Sequence, residues 1–224
     1  MPGSSTRFGR DIRGHLPDAK EVRGLVTLPP EDDEVWTRAA PHLRVRNNDS
    51  HSLYAYAIAR ALLRRLPEAD PSIVRPAILL HDTGWSTVPD DEILEAIAPG
   101  GGRPDLVRHH EIEGARIARE ALSGLRRPET VVGRVTDIID GHDSRPEALS
   151  IEDAIVKDAD KIWRVTPHGL TVVCGWFDLD RDEALRLCAS RVESRLHTDA
   201  GRAMAGALIA VASMDLAPQR QGLA

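Results

Sequence analysis

The segment Ala77-Ile-Leu-Leu-His81-Asp82-Thr-Gly84-Trp85 decides how this chain is read. It is the end of an apolar run that begins near Pro71, and it passes without a break into an imidazole and a carboxylate. Burying such groups is costly unless they are paired or hold a metal, so a polar doublet at the end of a buried helix marks a place where ligands converge on a pocket. The spacing predicts a helix over residues 71–80, with Gly84 in the position where a helix end asks for a positive φ.

Upstream, apolar residues at 53, 57, 58, 61, 62 and 66 fall at helical spacing, with Asn48, Asp49 and Ser50 as candidate caps and Pro67 as the stop. Downstream, Pro89 and the Pro99-Gly-Gly-Gly-Arg-Pro104 stretch punctuate a loop-rich interval over 86–104, with a short helix at 92–97. Further helices are expected over 110–122, 128–140, 151–165, 170–177, 182–196 and 201–216. No period-two alternation persists beyond a few residues. The expectation is all-α: one orthogonal bundle of roughly eight helices. Residues 1–35, rich in Gly, Pro and Arg, read as an irregular arm with at most one short helix, and 36–224 as the helical domain, with a motif core at 46–165 and C-terminal helices at 168–216.

Composition narrows the classes of function. The chain has 224 residues, 29 Lys+Arg against 35 Asp+Glu, a net charge of −6, and 42% hydrophobic residues. An acidic balance argues against general nucleic-acid binding, which needs a net basic face. It leaves room for a small anionic substrate held by local cations or a metal. Cys174 and Cys188 are too few for a disulfide framework. The first residues carry no apolar run of the signal-peptide kind, and the apolar stretch at 203–212 is far short of a membrane span. A reduced, cytoplasmic setting away from membranes is expected.

Nine histidines are present, at 15, 42, 51, 81, 109, 110, 142, 168 and 197. Carboxylates recur inside a second apolar segment, Ile155-Val-Lys-Asp158-Ala-Asp160-Lys161-Ile-Trp163. The ordered set is His51, then His81-Asp82 in a His-Asp-x-Gly setting, then His110 in His-Glu-Ile-Glu-Gly114-Ala115, then His142, then Ala159-Asp160-Lys161. This set resembles the HD-domain superfamily of metal-dependent enzymes, over about residues 46–165. The resemblance implies that His51, His81, Asp82 and Asp160 hold one metal, and that Asp82 bridges to a second held also by His110 and His142. It favours His110 over His109 through the Gly114-Ala115 spacing, and Asp160 over Asp158 because Asp160 precedes Lys161. Imidazole and carboxylate together suit two divalent ions drawn from Fe, Mn, Co, Ni, Zn or Mg, and a carboxylate can bridge ions roughly 3.5–4 Å apart.

Around that set, Glu111 is a candidate for positioning water, Lys161 and Arg164 for holding an anionic group, and Asp137 and Asp140 for orienting His142. Trp85 stands where cyclic-dinucleotide phosphodiesterases of the HD-GYP branch carry Lys, and the Gly-Tyr-Pro signature is absent. Phosphoryl charge would then be met by metals, Lys161, Arg164 or another Arg. The first functional expectation is a metal-dependent phosphohydrolase for a small phosphate ester or nucleotide. It would work through a metal-activated hydroxide, with Asp82, Lys161 and Glu111 as catalytic residues. A mixed-valent di-iron oxygenase cleaving a C–C or C–P bond is the alternative, and a non-catalytic metal-binding regulatory module the third. The helices after 165 either complete the pocket or form a homodimer face.

Overall fold

The computed structural model describes residues 12–217. All regular elements among them are helical. Ten α-helices run in chain order: α1 (Pro30–Ala39), α2 (Asn48–Leu63), α3 (Pro71–Leu80), α4 (Asp90–Ile97), α5 (Pro104–Gly124), α6 (Glu129–Ile139), α7 (Ile151–Trp163), α8 (Pro167–Phe177), α9 (Arg181–Glu193) and α10 (Asp199–Met214). Short 3₁₀ turns occupy Ile12–His15, Ala19–Glu21, Ala40–His42 and Thr83–Thr87.

The apolar run that leads into His81-Asp82 is α3. The Asp70 carboxylate accepts from the Ser72 backbone N–H at 2.8 Å, and Pro71 fills the first turn, where no N–H is needed. Ile73, Val74 and every residue from Pro76 to Leu80 are buried, because α1, α2, α6 and α7 all pack on this helix. α7 is enclosed more completely still, with every residue from Glu152 to Trp163 buried. The core lies between these two helices, and both end at the same point inside the bundle. A second, small apolar cluster of Trp85, Val88, Ile93 and Ala96 ties α4 and the 83–87 turn to α5.

Several expectations are corrected. The helices number ten among the described residues rather than about eight, and α1 crosses the boundary expected at residue 35. Pro30 and the acidic Glu31-Asp32-Asp33 suit a helix start, but α1 buries only Asp32, Val35 and Ala39, too few apolar positions to show as a stripe. The first eleven residues of the expected arm, 1–11, lie outside the described residues. The helix expected at 110–122 begins at Pro104. Gly84 does not take a positive φ. It is a close-approach glycine: a Cβ there would overlap the His110 carbonyl oxygen and lie 2.5 Å from the Gly114 backbone nitrogen. The backbone after His-Asp therefore rests directly on the backbone of α5.

Candidate metal centre

α3 delivers His81 and Asp82 at its C-terminal end, α2 delivers His51 from its first turns, α5 delivers His110, the loop after α6 delivers His142, and α7 delivers Asp160. All six side chains are buried, none more than 4% exposed. His51 Nε2 lies 3.0 Å from His81 Nε2, and His110 Nε2 lies 3.4 Å from His142 Nε2. Asp82 stands between the two pairs. Its Oδ2 is 3.3 Å from His51 Nε2, and its Oδ1 is 3.7 Å from His142 Nε2 and 3.9 Å from His110 Nε2. Asp160 Oδ1 is 3.3 Å from His51 Nε2 and 3.8 Å from His81 Nε2.

The donor set tests whether a cation fits. His81 Nδ1 donates to the Ile78 carbonyl and His142 Nδ1 to the Ile139 carbonyl, each at 2.9 Å, so in the neutral ring Nε2 carries the lone pair. Lone pairs and carboxylate oxygens thus converge in a buried space with few donors of their own. Three groups lie close enough to share an ion: His51–His81–Asp160, His81–Asp82–His142 and His110–His142–Asp143. A hard or borderline divalent ion suits these N and O donors, and divalent charge offsets their mutual repulsion.

The ionisation of the metal-free site follows the same logic. Burial works against the charged form of His142, but its hydrogen bond to Asp82 and the charges of Asp143, Asp82 and Asp160 outweigh it and raise the pKa to about 9. Burial, reinforced by repulsion from His142, brings His110 down to about 4. Burial opposes the charge on Asp82, but His81, the His142 hydrogen bond, His51 and Arg46 hold its pKa well below the usual carboxylate range. Asp160 is held down in the same way, against burial, mainly by Arg164 and the two imidazoles of His51 and His81.

The competing residues lie elsewhere. His109 is exposed, with Nε2 3.0 Å from the Thr87 hydroxyl. Asp158 points the other way and caps α10, accepting from the backbone N–H groups of His197 and Thr198 and from the Thr198 hydroxyl at 2.7–3.0 Å. Asp137 is exposed and Asp140 pairs with Arg108 at 2.5 Å, so neither orients His142.

Glu111 has a different place from the one expected. It is fully buried, and its oxygens accept from the backbone N–H groups of Asp143 and Ser144, from the Ser144 hydroxyl and from Arg108, all at 2.6–3.0 Å. With four donors on it, the carboxylate anchors the loop that carries His142. Lys157 grips the same loop from α7, its ammonium donating to the carbonyls of Gly141, His142 and Arg145 at 2.8–2.9 Å.

Three further residues shape the site. Lys161 Nζ is buried with no hydrogen-bond acceptor among the described residues, 3.6 Å from Asp160 and 3.8 Å from Asp143. Sequence reasoning missed the other two. Arg46 lies 3.6 Å from Asp82, sandwiched between the indoles of Trp85 and Trp176 at 5.3 and 4.8 Å. Asp143 has its carboxylate 3.9 Å from both His110 and His142 and partly faces a cleft. The signal for Asp143 was present: His142-Asp143 repeats the His81-Asp82 doublet. Arg46 carried none, since only the fold brings it to Asp82.

The HD domain family model matches residues 48–164, just over half of the chain, and the stretch includes all six convergent residues. No curated protein and no solved structure matches the chain significantly. No helix among the described residues is long and apolar enough to cross a membrane.

Proposed function

Since the chain belongs to the HD-domain family, whose members are in general metal-dependent hydrolases, we propose that it is a phosphohydrolase acting on a small phosphate ester or nucleotide. The observation that carries this reading is a buried ring of imidazole and carboxylate donors bordered by cations with few partners of their own. His51, His81, Asp82 and Asp160 would hold one divalent ion, and Asp82, His110 and His142 a second. When bound, such ions supply Lewis acidity toward a phosphoryl oxygen and acidify a water toward neutral pH.

The chain's own residues do the rest. Asp82 presents one oxygen to each half of the centre. The Lys161 ammonium, with no hydrogen bond among the described residues, meets the phosphoryl oxygens, and Arg164 beside it adds a planar fork. Arg46 takes the place of the lysine that Trp85 displaces, reaching the Asp82 side of the centre from another part of the chain. The indoles of Trp85, Trp163 and Trp176 line this space and exclude bulk water, which strengthens every charge interaction within it.

The test is phosphate release from a panel of phosphate esters and nucleotides with Mn, Co, Ni or Mg supplied. Activity that needs one of these ions and is lost in Asp82→Ala is the expected result. An Asp82→Ala protein as active as wild type would sink the reading. Two tightly bound irons per chain with oxygen-dependent turnover would transfer it to the oxygenase class.

A further inference from the structure

The family match ends at residue 164, and the helices beyond it wall a cleft in front of the centre. α8 and α9 pack against each other and help wall this cleft, whose volume of about 80 Å³ is well under the roughly 300–1,000 Å³ of sites for drug-sized ligands and suits a small molecule. The cleft shares Ile97, Asp143, Arg164 and Trp176 with the lining of the centre, so the two adjoin.

Two kinds of surface line it. Trp176 and Phe177 from α8 and Leu187 from α9 form an apolar side, each only partly covered. Arg164, Arg191 and Arg195 form a cationic side. Arg164 is engaged with Asp160 at 3.5 Å. Arg191, in the last turn of α9, and Arg195, just past its end, have no carboxylate partner among the described residues. A helix C-terminus favours one nearby cation. It does not account for three guanidinium groups on one cleft, whose like charges oppose one another. Arg191 shows that strain: burial first, then the charges of Arg195 and Arg164, lower its pKa. An anion between them relieves the repulsion and gains charge-assisted hydrogen bonds.

We propose that this cleft selects substrates with two anionic ends. The scissile phosphoryl group lies at the centre, a flat or apolar segment rests on Trp176 and Phe177, and a second phosphate or carboxylate is held by Arg191 and Arg195. The position of the scissile group rests on the hydrolase reading. The preference for two anions is a binding property and is measured without turnover.

The probes are 1,4-phenylene bisphosphonic acid and phenylphosphonic acid, whose C–P bonds resist hydrolysis. Calorimetry on the metal-loaded full chain gives the ratio of their dissociation constants. A second charge-assisted contact predicts that the bisphosphonate binds at least about tenfold more tightly to wild type. In the Arg191→Gln/Arg195→Gln double variant the ratio falls to about twofold or less, near the statistical advantage of two equivalent ends, with circular dichroism confirming the fold. An equally small ratio in wild type, or a large one that survives in the double variant, overturns the proposal. Failure to release phosphate from the matching phenyl phosphates and from the whole panel of esters and nucleotides, with the ratio and its arginine dependence intact, removes the hydrolase reading and leaves the two-anion cleft standing.

Discussion

The indole of Trp85 lies flat on the imidazole of His110, with ring centroids 3.9 Å apart and planes 11° from parallel. His110 Nδ1 has no hydrogen-bond partner among the described residues, whereas His81 and His142 are oriented by backbone carbonyls. Stacking therefore does for His110 what a hydrogen bond does for its neighbours. The indole that follows His-Asp-x-Gly is a support for the next histidine.

Trp85→Ala is expected to cost about 3–5 kcal/mol in denaturant unfolding, the range for removing a buried aromatic side chain. It also loosens His110, so metal bound per chain falls on dialysis. Trp85→Phe keeps a ring on the imidazole and recovers most of the bound metal. A Trp85→Ala protein with wild-type stability and metal content would show that the stack does not hold His110.

The metal-free protein should be most stable near neutral pH. His142 has its pKa raised to about 9, so its contribution is full below about 6.5 and is lost as pH rises through 9. His110 has its pKa lowered to about 4, so its contribution is full above about 6.5 and is lost as pH falls through 4. Thermal melts across pH 4–10 on chelator-treated protein check this. His142→Gln should flatten the alkaline limb and, by removing its repulsion of His110, soften the acid limb without abolishing it, because burial still holds His110 down. Near neutral pH the His142 proton leaves as metal binds, so calorimetric heats of metal loading should depend on the buffer's ionisation enthalpy.

Glu111→Gln separates an anchoring role from a catalytic one. Replacing a buried carboxylate that holds four donors with a neutral amide should cost about 1–3 kcal/mol and weaken metal binding roughly 10–100-fold, because the loop bearing His142 loses its hold. A residue that only positioned water would leave stability and metal affinity unchanged and lower turnover alone. Urea melts and competition with a metallochromic chelator distinguish the two.

Asp158 and Asp160, two residues apart on α7, should fail in opposite ways. Asp158→Ala strips the acceptor from His197 and Thr198 and frees the start of α10, costing about 2–4 kcal/mol while metal content stays at the wild-type level. Asp160→Asn keeps the helix and its packing but loses bound metal. Elemental analysis beside melting curves reads both, and metal lost equally from the two variants would contradict the assignment.

The convergence of the site's side chains was legible because they are anomalies in local sequence. His81-Asp82 and Asp160 are charged or polar groups set inside apolar helices, and such positions stand out without a structure. The helices of the core were legible for the same reason, through their spacing. The features that stayed hidden depend on distance in space. Arg46 and Lys157 look like ordinary surface cations, and only the fold places one between two indoles and the other beneath three carbonyls. The hold of Glu111 on the His142 loop was hidden too, because adjacency to a histidine in sequence suggested a shared task, while on a helix neighbouring residues point in different directions. α1 was missed because three of its first four residues are acidic, which hides a helix from any search for an apolar stripe.

The contact at Gly84 works as a gauge block. Main chain rests on main chain there, and Gly114 returns the favour, its own missing Cβ leaving room for the His81 carbonyl at 3.1 Å. Ile139 is the side chain that closes on the Gly114 end of the joint, and the Gly84 end is backbone alone. The interval between the residues of α3 and those of α5 is thus one dimension that point substitution cannot adjust in small steps. A lineage of such proteins exploring other ions would have to do so by exchanging donors or altering the surrounding charge, with the joint itself inherited unaltered.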